Sequence, residues 1–273
     1  MIQLFTSAQS LLENLNSPNL VILDCRFRLN DPDWGYRQYG ISHIPGAYYL
    51  DLNRDLSGNL SVHGGRHPLP QIEEIGTKLN DRGVKPDSLI VAYDDANFAF
   101  AARLWWLLRY LGHSEVILLD GGFSGWLAKG YPVTEVIPVS QPGAFNPKPD
   151  SKKLVDRDRV IAGQNLAQIV LIDSRESDRY LGKREPIDPV AGHISGALNF
   201  PWLNLSTPEG YWRSLSEQQQ IWHNLPPAQE YIVYCGSGVT ACTNLLSLEA
   251  IGITNTSLYV GGWSDWCSYF LIE

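Results

Sequence analysis

Paired cysteines, long apolar runs and a surplus of positive charge are all missing from this chain, and each absence removes a class of function. Its 273 residues include only four cysteines, Cys25, Cys235, Cys242 and Cys267, unevenly spaced and without a Cys-x-x-Cys pair. A disulfide framework, a zinc site and a dithiol redox centre are therefore not expected. The richest apolar stretch, residues 98–108, is interrupted by Arg103, and the opening Met-Ile-Gln-Leu-Phe lacks the basic and apolar regions of an export signal. Both point to a cytoplasmic protein that avoids membranes. With 21 Lys and Arg against 29 Asp and Glu, the net charge is −8, which argues against a nucleic-acid partner.

What is present is an ordinary globular composition, 44% hydrophobic and 18% charged, long enough for one large domain or two small ones. Internal repetition decides between them. Val21-Ile22-Leu23-Asp24-Cys25-Arg26 returns as Val170-Leu171-Ile172-Asp173-Ser174-Arg175, and His43-Ile44-Pro45-Gly46-Ala47 as His193-Ile194-Ser195-Gly196-Ala197. Asp120-Gly121-Gly122-Phe123-Ser124-Gly125-Trp126 is matched by Val260-Gly261-Gly262-Trp263-Ser264-Asp265-Trp266. Three motifs in one order, about 140 to 150 residues apart, are too widely spaced for a solenoid and imply two homologous domains. A proline-rich stretch over residues 138–153 reads as the linker, which divides the chain into domains of residues 1–145 and 146–273.

Within each half, short apolar runs alternate with helical patterns. Residues 20–23, 89–93 and 116–119 read as buried strands and 101–111 as a helix; their counterparts are 169–172, 231–234, 257–260 and the helix 241–251. The expected class is α/β, two tandem doubly wound domains with mostly parallel sheets. In such sheets ligands bind where strands run into helices. At that point in the second half stands Cys235-Gly236-Ser237-Gly238-Val239-Thr240. Backbone N–H groups at a helix start converge on such a sulfur and stabilise a thiolate or a bound anion, and the glycines permit the tight turn. The first half has Asp94 at the equivalent position and no such glycines. Only the second half is expected to react, which leaves Cys25, Cys242 and Cys267 as structural residues.

The tandem halves and this loop resemble the two-domain rhodanese family of thiosulfate and 3-mercaptopyruvate sulfurtransferases. Gly64-Gly65-Arg66-His67-Pro68-Leu69-Pro70 and Arg103-Leu104-Trp105-Trp106 extend the likeness to nearly the whole chain. The resemblance implies a duplicated α/β fold in which the C-terminal copy is catalytic. Cys235 would take a sulfane sulfur from a small anionic donor as a persulfide and pass it to cyanide, thioredoxin or another thiol, with no metal or organic cofactor required. It also implies that Arg179 binds the donor, that Ser237 and His67 belong to a relay whose third position holds Asn53, with Asp51 nearby, and that Arg66 and Arg103 face the cleft from the first domain.

The donor stays open between two signals. The uncharged loop residues Gly236, Ser237 and Gly238 resemble those of mercaptopyruvate enzymes, and tip the balance narrowly that way. Against this, Glu185-Pro186 is followed by Ile187-Asp188-Pro189, without the second arginine that clamps a carboxylate in animal mercaptopyruvate enzymes. Two rival functions fit the residues less well. A cysteine phosphatase needs Cys-x5-Arg, but the sixth residue after Cys235 is Ala241. A non-enzymatic sulfur-carrier or thiol-binding module would not explain why only one half retains the cysteine loop.

Overall fold

The computed structural model describes residues 3–271, which fall into two compact units. The first takes the chain up to Gly58, then Pro70–Pro149 and Ser206–Trp212; the second takes Asn59–Leu69, Asp150–Leu205 and the chain from Arg213. Each unit thus includes a short segment from the other half of the sequence.

The first unit has strands β1 (Phe5–Thr6), β2 (Leu20–Asp24), β3 (Ala47–Tyr49), β4 (Leu89–Tyr93) and β5 (Val116–Leu119), and helices α1 (Ala8–Glu13), α2 (Trp34–Ile41), α3 (Ile72–Asn80), α4 (Ala99–Tyr110) and α5 (Gly122–Ala128). Its strand order is β1-β5-β4-β2-β3. The second unit has β6 (Leu154–Val155), β7 (Ile169–Asp173), β8 (Leu198–Asn199), β9 (Glu230–Tyr234) and β10 (Thr256–Tyr259), with helices α6 (Arg157–Gly163), α7 (Ser177–Tyr180), α8 (Leu215–Ile221), α9 (Ala241–Ala250) and α10 (Gly262–Ser268). Its order, β6-β10-β9-β7-β8, repeats the first, and every strand pairing in both sheets is parallel.

Continuous rather than alternating apolar runs are what a parallel sheet covered on both faces requires. In β4 every residue but Leu89 is buried, and in β9 every residue but Glu230. Ile22, Val91, Tyr93, Leu119, Phe123 and Trp126 pack one core; Leu171, Ile232, Tyr234, Tyr259, Trp263 and Trp266 pack the other. The central strands lie within a residue of the positions read from the sequence. The edge strands β1, β6 and β8, two residues each, carry too little pattern to be read that way.

The repeated motifs hold the strand ends. Asp24 accepts the Arg26 N–H at 2.9 Å and chelates its guanidinium, and Asp173 does the same with Arg175. All four residues are buried; removing one partner of such a pair costs about 3–5 kcal/mol by stranding the other charge. This motif therefore persists in both halves for structural reasons. The histidines of the second motif stack on Tyr39 and Tyr180 and hydrogen-bond their carbonyl oxygens. No helix among the described residues is long and apolar enough to cross a membrane.

Candidate active site

Strand β9 carries Cys235 to the carboxyl end of the second sheet, where its residue is only 2% exposed. The chain then turns through Gly236 to Thr240 into α9. Gly238 sits at φ +71°, and a Cβ there would lie 2.3 Å from the Val260 carbonyl oxygen, so only glycine lets the loop close against β10. The third repeated motif braces the turn from below: Trp263 N–H donates to the Cys235 carbonyl at 2.8 Å, and Ser264 N–H to that of Gly236 at 2.8 Å.

The first unit shows what this turn is built to hold. Asp94 occupies the end of β4, and its carboxylate accepts the N–H groups of Ala96, Phe98, Phe100 and Ala101 at 2.8 to 3.1 Å. Phe123 N–H donates to the Asp94 carbonyl at 3.1 Å, just as Trp263 does to Cys235. Burial raises the Asp94 pKa, and the four N–H bonds only partly oppose it. In the second unit the cradle carries no such carboxylate. The N–H groups of Gly236, Ser237, Val239, Thr240 and Ala241 donate to no protein group among the described residues. Five amide donors are thus free to receive negative charge beside the Cys235 sulfur.

Residues 59–69 wrap this site from within the second unit. His63 Nδ1 lies 2.7 Å from Ser268 Oγ while the ring stacks on Tyr269 at 3.8 Å. Gly64 N–H donates to Asp265 at 2.7 Å, and Arg66 N–H to Ser264 Oγ at 3.1 Å. Gly65, at φ +79°, passes so close to Gly261 that a Cβ would stand 2.3 Å from its carbonyl oxygen. The segment thereby brings His67 Nδ1 to 2.7 Å from Ser237 Oγ and extends Arg66 over the loop.

Two guanidinium groups meet there. A Cβ on Gly236 would be 3.0 Å from Arg66 Nη2 and 3.4 Å from Arg179 Nη2. Arg179, on α7, donates to Glu185 through Nη2 at 2.8 Å and Nε at 3.2 Å, and to Asp188 at 3.1 Å. Asp188 also accepts Arg66 Nη1 on its other oxygen, and Glu185 receives Arg175 Nη1 at 3.2 Å. Burial, then the nearby Arg179 charge, lowers the Arg66 pKa, while Cys235 and Glu185 act in the opposite direction. Burial opposes the Arg175 charge, but its hydrogen bond and attraction to Asp173 prevail and raise its pKa.

Cys235, the loop residues, Arg179, Arg66 and His67 are thus brought together in one unit. Arg103 belongs to the other, on α4, where it is fully buried and donates to the Leu56 carbonyl at 3.3 Å. Asn53 and Asp51 also lie there; Asp51 is engaged by the N–H groups of Asn53 and Arg54 and the Tyr49 hydroxyl. Sequence reasoning missed Glu185 and Asp188 as members of the cluster. The signal is two acids three positions apart in Glu185-Pro186-Ile187-Asp188, the loop that lacks the second arginine. Cys25, Cys242 and Cys267 are buried free thiols; burial pushes up the pKa of Cys25 and of Cys267, and Cys242 Sγ lies 3.4 Å from the Gly238 carbonyl. Among the described residues no group of His, Cys, Asp and Glu is arranged to hold a metal ion.

The rhodanese-like domain model matches residues 7–129 and again 156–269. A probable 3-mercaptopyruvate sulfurtransferase of Pseudomonas aeruginosa is 44% identical over 269 residues, covering 97% of this chain and 94% of that one. The thiosulfate sulfurtransferase of Rattus norvegicus is 31% identical over 268 residues, covering 95% and 89%. Among solved structures, SseA from Escherichia coli, a 3-mercaptopyruvate sulfotransferase by its description, superposes with a TM-score of 0.85 at 32% identity, covering 96% of this chain and 99% of that one.

Proposed function

The chain belongs to the rhodanese-like domain family and is a sulfurtransferase, and we propose that it works through a persulfide on Cys235, with 3-mercaptopyruvate favoured over thiosulfate as donor. The observation that carries this reading is the contrast between the two cradles. In one, four backbone N–H groups are satisfied by the Asp94 carboxylate; in the other, the amides around Cys235 are left for an anion that arrives with the reaction. Chemistry accordingly belongs to the domain of residues 146–273, completed by residues 59–69, and the domain of residues 1–145 otherwise does not react.

The Cys235 thiolate attacks the transferable sulfur of the donor, the thiol sulfur of 3-mercaptopyruvate or the outer sulfur of thiosulfate. With 3-mercaptopyruvate the C–S bond breaks, and its electron pair leaves on carbon as the pyruvate enolate, which takes up the proton released from the sulfur. With thiosulfate the S–S bond breaks and sulfite departs with the pair. In both cases Cys235 is left as a persulfide whose outer sulfur bears negative charge, and the loop amides stabilise it. Cyanide or a thiolate then attacks that outer sulfur and restores the Cys235 thiolate. Arg179 and Arg66 attract the donor anion. Ser237, held by His67, donates a hydrogen bond to the donor oxygen or the departing enolate.

Support for a mercaptopyruvate donor comes from the uncharged side chains of residues 236–238 and from the relatives of that name. The test is intact-mass measurement after incubation with each donor. One added sulfur atom on the native chain, removed by cyanide or a dithiol and absent from Cys235→Ser, is expected. A Cys235→Ser protein that still turned over donor would end the proposal.

A further inference from the structure

Three guanidinium groups, Arg66, Arg175 and Arg179, face three carboxylates, Asp173, Glu185 and Asp188, in the cluster beside Cys235. Asp173 and Glu185 belong to the frame that holds β7 and the 185–188 turn, since both also accept backbone N–H groups. Asp188 is different. Its carboxylate oxygens each accept from one of the two arginines nearest Gly236, Arg66 and Arg179. The Asp188 side chain is 2% exposed, whereas that of Arg66 is 31% exposed and open to an arriving anion.

We propose that Asp188 sets donor preference: fixed between Arg66 and Arg179, it removes one unit of positive charge from the group facing Cys235 and so disfavours dianionic sulfur donors relative to monoanionic ones. The inference rests on the reading of Cys235 as a persulfide-forming nucleophile fed by a small anion. Over the whole cluster the three guanidinium and three carboxylate charges cancel, and Asp188 is the carboxylate held between the two arginines nearest Gly236. A monoanionic α-keto carboxylate brings one negative charge toward that carboxylate. A dianion such as thiosulfate brings a second negative charge toward a buried carboxylate, and Coulomb repulsion scales with that charge. The same carboxylate keeps the two guanidinium groups side by side, so the site retains donors of the right geometry while its field is reduced.

The variant Asp188→Asn keeps the shape and takes away the charge. In a double-displacement reaction kcat/KM for the donor reports only steps up to the persulfide, and the ratio for two donors on one preparation cancels the folded fraction. The expected result is that kcat/KM for thiosulfate relative to 3-mercaptopyruvate rises at least ~10-fold, an effect that salt weakens. Arg66→Gln, which subtracts a charge instead, is expected to move the ratio the other way, and it decides the matter if Asp188→Asn does not fold. A ratio unchanged in Asp188→Asn, or both donors falling equally, means that Asp188 only holds the arginines in place and overturns the inference. Failure of the native enzyme to load sulfur from either donor overturns the functional reading itself, and this inference with it.

Discussion

Asp94 stands at the end of β4 where Cys235 stands at the end of β9, and its two carboxylate oxygens accept four backbone N–H groups of the turn that follows. The first unit therefore supplies its own anion to a cradle that in the second unit is open beside a sulfur atom. Duplication preserved the backbone device in both copies; the side chain at one position separates a filled site from a reactive one.

Replacing Cys235 by Ser is expected to abolish sulfur transfer, by at least ~10³-fold in kcat/KM, because an alkoxide neither forms nor carries sulfane sulfur as a thiolate does. Cys25→Ala, Cys242→Ala and Cys267→Ala are expected to retain turnover and to lower the melting temperature, as buried thiols do when their packing is lost. Steady-state rates and thermal melts on the four variants check both halves of the statement.

Arg179→Gln is expected to raise KM and to lower kcat/KM for either donor by about 10–100-fold, since a charge-assisted partner is lost. Arg179→Lys recovers only part of this, because an ammonium cannot keep the forked bonds to Glu185 and Asp188. Unchanged kinetics in the Gln variant would remove Arg179 from the site.

Gly65→Ala is expected to cost about 1–3 kcal/mol in the second unit, from strain at φ +79° and a Cβ 2.3 Å from the Gly261 oxygen. Because Arg66 and His67 follow directly, kcat/KM should fall with it while the secondary structure measured by circular dichroism stays native. Full activity in this variant would show that residues 59–69 can shift without disturbing the Ser237 contact.

Asp94 makes stability depend on pH in a defined direction. Its pKa is raised above the ordinary 3.8 in the folded chain, by burial that outweighs the N–H bonds. The folded state therefore binds the proton more tightly than the unfolded one. Its contribution is greatest below the ordinary value and is lost as pH rises through the folded value. Asp94→Asn lacks this linkage, so the stability advantage of the native chain over the variant is expected to be larger near ~pH 4 than near ~pH 7. Urea titrations of both proteins at the two pH values test it; a difference that grew toward neutrality would contradict the assignment.

Much of this molecule was legible before any coordinates. The central strands lie within a residue of their expected places because parallel strands buried on both faces are written as unbroken apolar runs, and α9 begins at Ala241 as read. Helix α4 begins two residues earlier than its pattern suggested, at Ala99, where Asp94 accepts the N–H groups of Phe100 and Ala101. That capping acid lies outside the helical periodicity, so periodicity alone could not reveal it.

The sequence by itself determined the duplication, the α/β class and the singular position of Cys235, because repeats, apolar runs and a glycine-flanked cysteine are local signals. Only the tertiary structure decided that residues 59–69, from the first half of the chain, complete the unit that carries Cys235, and that Asp188 lies between Arg66 and Arg179. The Arg66–Asp188 contact joins residues 122 positions apart and the His67–Ser237 contact residues 170 apart. Their polar groups say that they can pair, but only the packed backbone selects the partners.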